Sequence, residues 1–507
     1  MSNNFNKSVK NISITLVCQA LTLLLSFVSR SVFIRFLSAE YLGISGLFSN
    51  ILTLLSFTEL GIGNVMIYSL YEPIKRGDNS KIQALLALYK KAYNLIAGTI
   101  FAVGCLINPF IPYLIKEVPD IPESIHVLFF LYLANTSISY ICTYKKSLLL
   151  ADQKAYITNF VTSLSHIMVL IAQVVLLYLT HSFIAFLVCQ IVFTFLTNLY
   201  LTFIVNKRYR TVLKADKTEL SKGELKNIFK NIKALAISKV SGIVSNGTNN
   251  IVVSKMFGLI PVGLISNYTM IINSVNNIFY GALTSMTSSI GNFNIDSEVV
   301  QKRKIFDELF LLVYLAYSFI CVCLLVLAQP FVALWLGGDY QIGFAVLVNL
   351  VLGVYVGGIN YPVYSFRTTK GYFKEVQYVY VSCAVLTLVL SILLGMVMGI
   401  AGVFMATWLS KLLLTEVADS YYTYNRILEK KHSRYFLKYA VMFGIAAFNA
   451  GICYTLVSLI GISGWVGFFL KAIVCAGANI LINLAIFSHR WEFRNLFQRV
   501  ITMIRRR

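Results

Sequence analysis

Ionisable side chains stand within or beside long apolar runs of this 507-residue sequence, among them Arg30, Glu59, His166, Lys239, Lys411, Glu416 and Lys471. A charge in the hydrocarbon of a bilayer is expensive, so each needs a partner, a route to the interface or a water-filled space. Arg30 lies near one end of its run, and a guanidinium binds phosphate through paired hydrogen bonds. Lys239 and Lys471 have stems long enough to snorkel to an interface. Glu59 interrupts "LLSFTELGIGNVMIYSLYE" (Leu54–Glu72), with Gly61 and Gly63 just behind it. It is either an ion-coupling carboxylate or an anchor bonded to backbone or to a cation on a neighbouring helix. Lys411 and Glu416 are five residues apart, so they do not share one helical face. His166 is a lone histidine of the kind more often packed or hydrogen-bonded than functional.

The uncharged polar residues are ordered too. At about 100° per residue, Gln19, Ser26 and Arg30 fall on one face of the first apolar run. Ser49, Ser56 and Glu59 share a face of the second. Asn273, Asn277 and Tyr280 share a face near 262–291, and Ser245 and Asn249 belong to a broader polar arc near 234–257. Any single Ser or Thr is readily explained by close helix packing. Four such stripes on apolar helices point instead to a hydrated central cavity, because polar side chains do not face lipid cheaply.

Other chemistries lack their residues. The sequence has no HExxH and no P-loop, and the longest outside loop, "KEVPDIPES" (Lys116–Ser124), carries no paired carboxylates suited to catalysis. The nine cysteines lie in apolar runs without a CxxC pair, which suggests neither a metal site nor a disulfide framework. These features predict a protein that is not an enzyme and needs no cofactor. Any transport would run on a proton or sodium gradient, or on the substrate gradient.

The elements that must position these residues are membrane helices. Hydrophobic residues make up 58% of the chain and charged residues 13%, against about 25% charged in soluble proteins, and the mean hydropathy is +0.74. Continuous apolar runs of bilayer-spanning length predict fourteen spans, near 11–34, 41–69, 92–115, 125–144, 156–179, 182–205, 234–257, 262–291, 309–336, 342–365, 376–397, 401–424, 438–460 and 465–487. The first run follows Lys7 and Lys10 but has no small-residue cleavage site, so it reads as a retained helix. With both termini placed in the cytoplasm, 36 of the 43 Lys and Arg fall on the inner side, as the positive-inside rule requires. The net charge of +22 is then a cytoplasmic skirt that attracts anionic lipids, and no nucleic-acid partner is needed to explain it.

The longest polar piece, Asn206–Lys233, has helical spacing in its second half and reads as a basic cytoplasmic linker. It separates an N-terminal lobe (1–206) from a C-terminal lobe (234–425), with the linker at 207–233 and two further spans plus a basic tail at 426–507. A weak repeat crosses it. "FLSAEYLGISGLFSN" (Phe36–Asn50) and "MFGLIPVGLISNYTM" (Met256–Met270) each carry a glycine after a short turn, at Gly43 and Gly263. Internal repeats are common in secondary transporters. The expected fold is an all-α polytopic membrane protein of about 14 transmembrane helices, in two six-helix lobes plus two C-terminal helices.

Four stretches carry a family resemblance: "FTELGIGNVMIYSLYEPIKRGD" (Phe57–Asp78), "TYKKSLLLADQKAYI" (Thr143–Ile157), "NNIVVSKMFGLIPVGLISNYTMI" (Asn249–Ile271) and "VALWLGGDY" (Val332–Tyr340). Together with the span count, the chain resembles the Wzx-type bacterial oligosaccharide flippases of the multidrug/oligosaccharidyl-lipid/polysaccharide exporter superfamily. The resemblance implies two lobes around a central cavity in the bacterial cytoplasmic membrane. It implies an undecaprenyl-pyrophosphate-linked oligosaccharide carried to the outer leaflet by alternating access, for surface polysaccharides such as capsule or O-antigen. Polysaccharide polymerase and glycosyltransferases are the implied partners. Arg30 matches an arginine that related lipid II flippases carry in their first helix to meet pyrophosphate, and Lys239 is the second cation assigned to it. Gln19, Ser26, Ser49, Ser56, Ser245, Asn249, Asn273, Asn277 and Tyr280 would meet the glycan. One departure concerns span seven, where relatives often read Thr-Asp-Asn and this chain reads Thr248-Asn249-Asn250. Ion coupling here would therefore use another group, such as Glu59, or be absent. The rival expectations are a MATE-like drug or cation exporter, with an acidic and aromatic cavity, and a membrane-embedded sugar transferase or polymerase, with a long catalytic outer loop.

Overall fold

The all-helical polytopic architecture expected from the apolar runs is the one observed. The structure, a computed structural model, describes residues 21–505 apart from 60–61, 118, 142, 153, 217–219, 231, 234–246, 286–289, 291–297 and 373. Among the described residues nine helices are long and apolar enough to cross a bilayer, and a tenth crossing is a helix pair bent by 43°. In chain order the helices are α1 (21–36), α2 (Ala39–Leu55), α3 (Ile62–Arg76), α4 (Asn79–Ile107), α5 (Ile125–Tyr140), α6 (Thr143–Ala151), α7 (Ala155–Thr180), α8 (Phe183–Arg208), α9 (Arg210–Lys214), α10 (222–230), α11 (Asn249–Phe257) and α12 (Leu259–Ser285). They continue with α13 (Val299–Leu336), α14 (Phe344–Ile359), α15 (Tyr361–Thr369), α16 (Gln377–Met398), α17 (Ile400–Ile427), α18 (Ser433–Ser458), α19 (Gly464–Phe487) and α20 (Trp491–Arg505). The bent pair is α5 with α6.

Span two departs from the expected continuous helix. α2 stops at Leu55, Ser56–Glu59 form a tight 3-10 turn, and α3 begins at Ile62. The sequence there is Glu59-Leu60-Gly61-Ile62-Gly63. Two glycines cost about 1 kcal/mol each in a helix interior, which makes this the cheapest place for span two to break.

The chain divides into two units, Met1–Gly263 and Leu264–Arg507. In the first, Leu47 and Phe48 of α2 pack against Leu128, Phe129 and Leu133 of α5 and Phe183 of α8. A second apolar cluster joins Met66, Leu70, Tyr89 and Leu149, and takes in Val212 of α9 and Ile228 of α10 from the linker. The linker's second half is helical, as its spacing predicts. It starts with a capping box: the Ser221 backbone N–H donates to Glu224 Oε2 at 2.9 Å, and the Glu224 N–H donates to Ser221 Oγ at 3.2 Å. Lys81 of α4 pairs with Glu224 at 2.5 Å, and that contact holds the Glu224 carboxyl below its ordinary range.

The second unit is built on α13. Its 38 residues are apolar on nearly every face, and 67% of its most apolar window is buried, as a helix hydrophobic all round requires. Phe310, Tyr314 and Tyr317 along it are at most 1% exposed, and α14, α18, α19 and α20 pack around it.

The repeat at Gly43 and Gly263 has a physical counterpart. A Cβ on Gly43 would lie 2.1 Å from the Leu259 carbonyl oxygen, and a Cβ on Gly263 would lie 2.3 Å from that of Ala39. Ala39 precedes Gly43 by the interval at which Leu259 precedes Gly263. The two segments therefore meet reciprocally, backbone against backbone, through the residues the repeat equates, and only glycine permits that approach. Gly43→Val is expected to destabilise the protein by about 1–3 kcal/mol through overpacking, whereas Gly98→Val, at a site with open space, serves as the neutral control. Thermal melting in detergent reads the difference, and coincident curves for Gly43→Val and wild type would refute the contact.

Candidate functional site

The polar residues of the first unit gather around α2. The hydroxyls of Ser26, Ser45 and Ser56 donate to the carbonyls of Thr22, Tyr41 and Leu52 at 2.7, 2.8 and 2.8 Å. Each side chain is thus satisfied by its own helix and keeps acceptor capacity on its oxygen. Ser49 and Thr53 on the same helix are exposed. Arg30 on α1 is half-buried, and its guanidinium lies within electrostatic reach of the Tyr132 phenol of α5, whose hydroxyl is beside Ser45. α1, α2 and α5 therefore place one cation beside the hydroxyl stripe. Asn249 is buried at the start of α11, a helix that packs on α2. A Cβ on Gly46 of α2 would stand 3.5 Å from Asn250 Nδ2. Gln19, Lys239 and Ser245 lie outside the described residues.

Glu59 does not sit in a helical stripe, because span two is broken around it. Its partners come from elsewhere. The Tyr140 hydroxyl of α5 donates to Glu59 Oε2 at 3.2 Å, and Tyr93 of α4 stacks on Tyr140 with centroids 6.4 Å apart. A Cβ on Gly63 would lie 3.6 Å from Glu59 Oε1 and 3.0 Å from the Tyr93 hydroxyl, so glycine leaves the carboxylate room. The Lys146 ammonium of α6 is within electrostatic reach. Glu59 thus has a phenol donor on α5 and a cation nearby on α6.

In the second unit, α12 separates its polar residues between two faces. Tyr268 turns inward and donates to Gln329 Oε1 at 2.6 Å, and Asn276 accepts from the Tyr317 hydroxyl at 3.0 Å. Asn273 and Asn277 are exposed, as is Tyr280 at 41%, with its ring edge-on to Tyr361 at 6.3 Å. Uncovered amides on an otherwise apolar span would be costly against lipid.

Sequence reasoning missed one constellation. Arg367 of α15, grouped by position with the cytoplasmic cations, is 2% exposed, and Asp419 of α17 is fully buried. Arg367 Nε stands 2.7 Å from Asp419 Oδ1 as an ion pair, the Tyr380 hydroxyl of α16 donates to Asp419 Oδ2 at 2.8 Å, and Arg367 Nη2 donates to the Tyr380 oxygen at 3.2 Å. The guanidinium lies over the Tyr364 and Tyr380 rings at 5.4 and 5.6 Å. A signal did exist in the sequence: Glu416 and Asp419 are three apart in an apolar span, which puts both acids on one face. Among the described residues no group of three His, Cys, Asp or Glu could hold a metal ion.

No protein-family model and no curated protein matches the sequence. Solved structures do match. A lipid II flippase, MurJ, in an inward closed conformation aligns with a TM-score of 0.68 at 14% identity, covering 94% of this chain and 99% of that one. An inward-facing multidrug resistance MATE family transporter of the MOP superfamily aligns at 0.60 and 14%, covering 81% and 96%. The bent form of the Vibrio cholerae MATE transporter VcmN aligns at 0.55 and 15%, covering 84% and 98%. The chain therefore has the polytopic fold of the flippases and exporters of that superfamily.

Proposed function

We propose that the protein is a flippase that moves undecaprenyl-pyrophosphate-linked oligosaccharide repeat units from the cytoplasmic to the outer leaflet by alternating access, for surface polysaccharide synthesis. The observation that carries this reading is the chemistry of the uncovered faces. α2 presents Ser49 and Thr53, and α12 presents Asn273, Asn277 and Tyr280. These are hydroxyl, amide and phenol groups that exchange hydrogen bonds readily with sugar hydroxyls, and Arg30 supplies a fork for pyrophosphate. The charge bias of the loops supports both termini in the cytoplasm of a bacterial inner membrane. Polymerase and glycosyltransferases of the same pathway would be the partners.

The MATE fold match supports a second reading, an ion-coupled exporter of organic cations. That chemistry calls for carboxylates on the exposed faces. Here Glu59 accepts from Tyr140, and Glu416 and Asp419 are fully buried. The fuller alignment with the flippase structure, 94% of the chain against 81%, also favours the first reading.

Reconstitution separates the two. Proteoliposomes loaded with a lipid-linked oligosaccharide are expected to expose its glycan to a membrane-impermeant glycosidase at a rate set by the protein. The same vesicles should not accumulate tetraphenylphosphonium under an imposed proton or sodium gradient. Gradient-driven cation uptake without glycan exposure would overturn the proposal in favour of the exporter.

A further inference from the structure

Glu416 belongs to no part of the transport reading, and among the described residues it is the most completely enclosed acid outside the Arg367 pair. It is 0% exposed. The Tyr435 hydroxyl of α18 donates to its Oε2 at 2.7 Å, and its Oε1 has no hydrogen-bond partner in the protein. The groups that face it are Tyr435 and Tyr439 from α18 and Asp419 one turn along its own helix. Asp419 is already matched by Arg367 of α15, Tyr380 of α16 and Asn360, so that cation is not free to serve a second carboxylate.

An ionised Glu416 would be a second negative charge in the apolar core beside Asp419, whose counter-cation is Arg367. Such a charge costs far more than the neutral acid with one hydrogen bond. The unpartnered Oε1 is where the proton of a neutral acid belongs, since Tyr435 already donates to Oε2. The surroundings extend this polarity. The hydroxyls of Tyr439, Tyr355 and Tyr314 are buried without a protein partner, and the rings run in sequence, Tyr435 to Tyr439 at 5.9 Å and Tyr439 to Tyr355 at 6.1 Å. The Tyr439 hydroxyl is within electrostatic reach of Glu416, and the Tyr355 hydroxyl within reach of those of Tyr439 and Tyr314, so buried exchangeable hydroxyls adjoin the carboxyl. α17 itself is wound wide on both sides of Glu416, with π-helical turns at Lys411–Thr415 and Tyr422–Ile427, a winding that is rare and recurs at functional sites.

We propose that Glu416 is a proton-binding site at the seam between α17 and α18, occupied at neutral pH, and that the Glu416–Tyr435 bond is a proton-operated latch on the trailing pair α18–α19. When the proton leaves, the new carboxylate needs a second donor. The Tyr439 phenol is the group within reach, and recruiting it shifts α17 against α18 at its wide turns. The assignment stands independently of what the protein transports.

Infrared spectroscopy of the full-length protein in lipid nanodiscs tests it directly. At neutral pH the wild type is expected to show a protonated-carboxyl C=O band that disappears in E416Q, shifts in Y435F, where the donor is lost, and vanishes reversibly only at alkaline pH. Melting curves of both variants establish that they are folded. Absence of any E416Q-sensitive band in the wild type at neutral pH would overturn the proposal. So would loss of the band on adding sodium at constant pH, which would make the site a cation site instead.

Discussion

Arg30→Ala is expected to slow translocation of lipid-linked oligosaccharide by about 10- to 100-fold while leaving the melting curve close to wild type. The size follows from one charge-assisted interaction of about 1.5–3 kcal/mol, with tenfold per 1.4 kcal/mol. Arg30 is half-buried on α1, beside Tyr132 and the Ser45 hydroxyl, so the substitution removes the proposed headgroup contact without opening the core. Arg30→Lys keeps the charge but loses the planar fork, and should recover only part of the rate. Initial rates of glycan exposure in proteoliposomes, at matched protein density, give the comparison. A folded Arg30→Ala variant that translocates at the wild-type rate removes Arg30 from the substrate path.

The largest expected effect on stability lies at Arg367. Truncating it to Met leaves Asp419 as an uncompensated charge in a fully buried site, a change that costs about 3–5 kcal/mol. The Tyr380 hydroxyl, which donates to Asp419 while accepting from Arg367, would lose one of its two partners as well. Arg367→Met is expected to give little monodisperse protein and a clearly lowered melting temperature. The double variant Arg367→Met/Asp419→Leu should regain most of the loss, because apolar replacement of a whole buried pair is often neutral or better. If the single variant melts like wild type, the pair does not hold α15, α16 and α17 together.

Much of this molecule is legible in residue order alone. The length and continuity of apolar runs force helices, because a backbone in lipid has no water to bond to and must satisfy itself within the segment. Residue type alone also marks the side chains that lipid cannot hold. Of the stripe residues, Ser49, Asn273, Asn277 and Tyr280 are exposed, whereas Asn249 is buried. The equivalence of Gly43 and Gly263 is visible in sequence, and it reappears as a reciprocal backbone contact.

Only the tertiary structure decided how each expensive group is satisfied. Glu59 reads in sequence as part of a helical stripe. It is instead in a break of span two, bonded to a tyrosine 81 residues away. Arg367 reads as one more cation of a cytoplasmic loop and is instead the buried partner of Asp419. The polar residues of α12 look alike in sequence, yet Asn276 turns to Tyr317 while Asn277 stays open. The reason is the same in each case. The cost of placing a polar or charged group in an apolar medium is a property of that residue and can be read from its type. The compensation comes from donors, acceptors and counter-charges on other helices, and their identity exists only once packing has brought distant segments together.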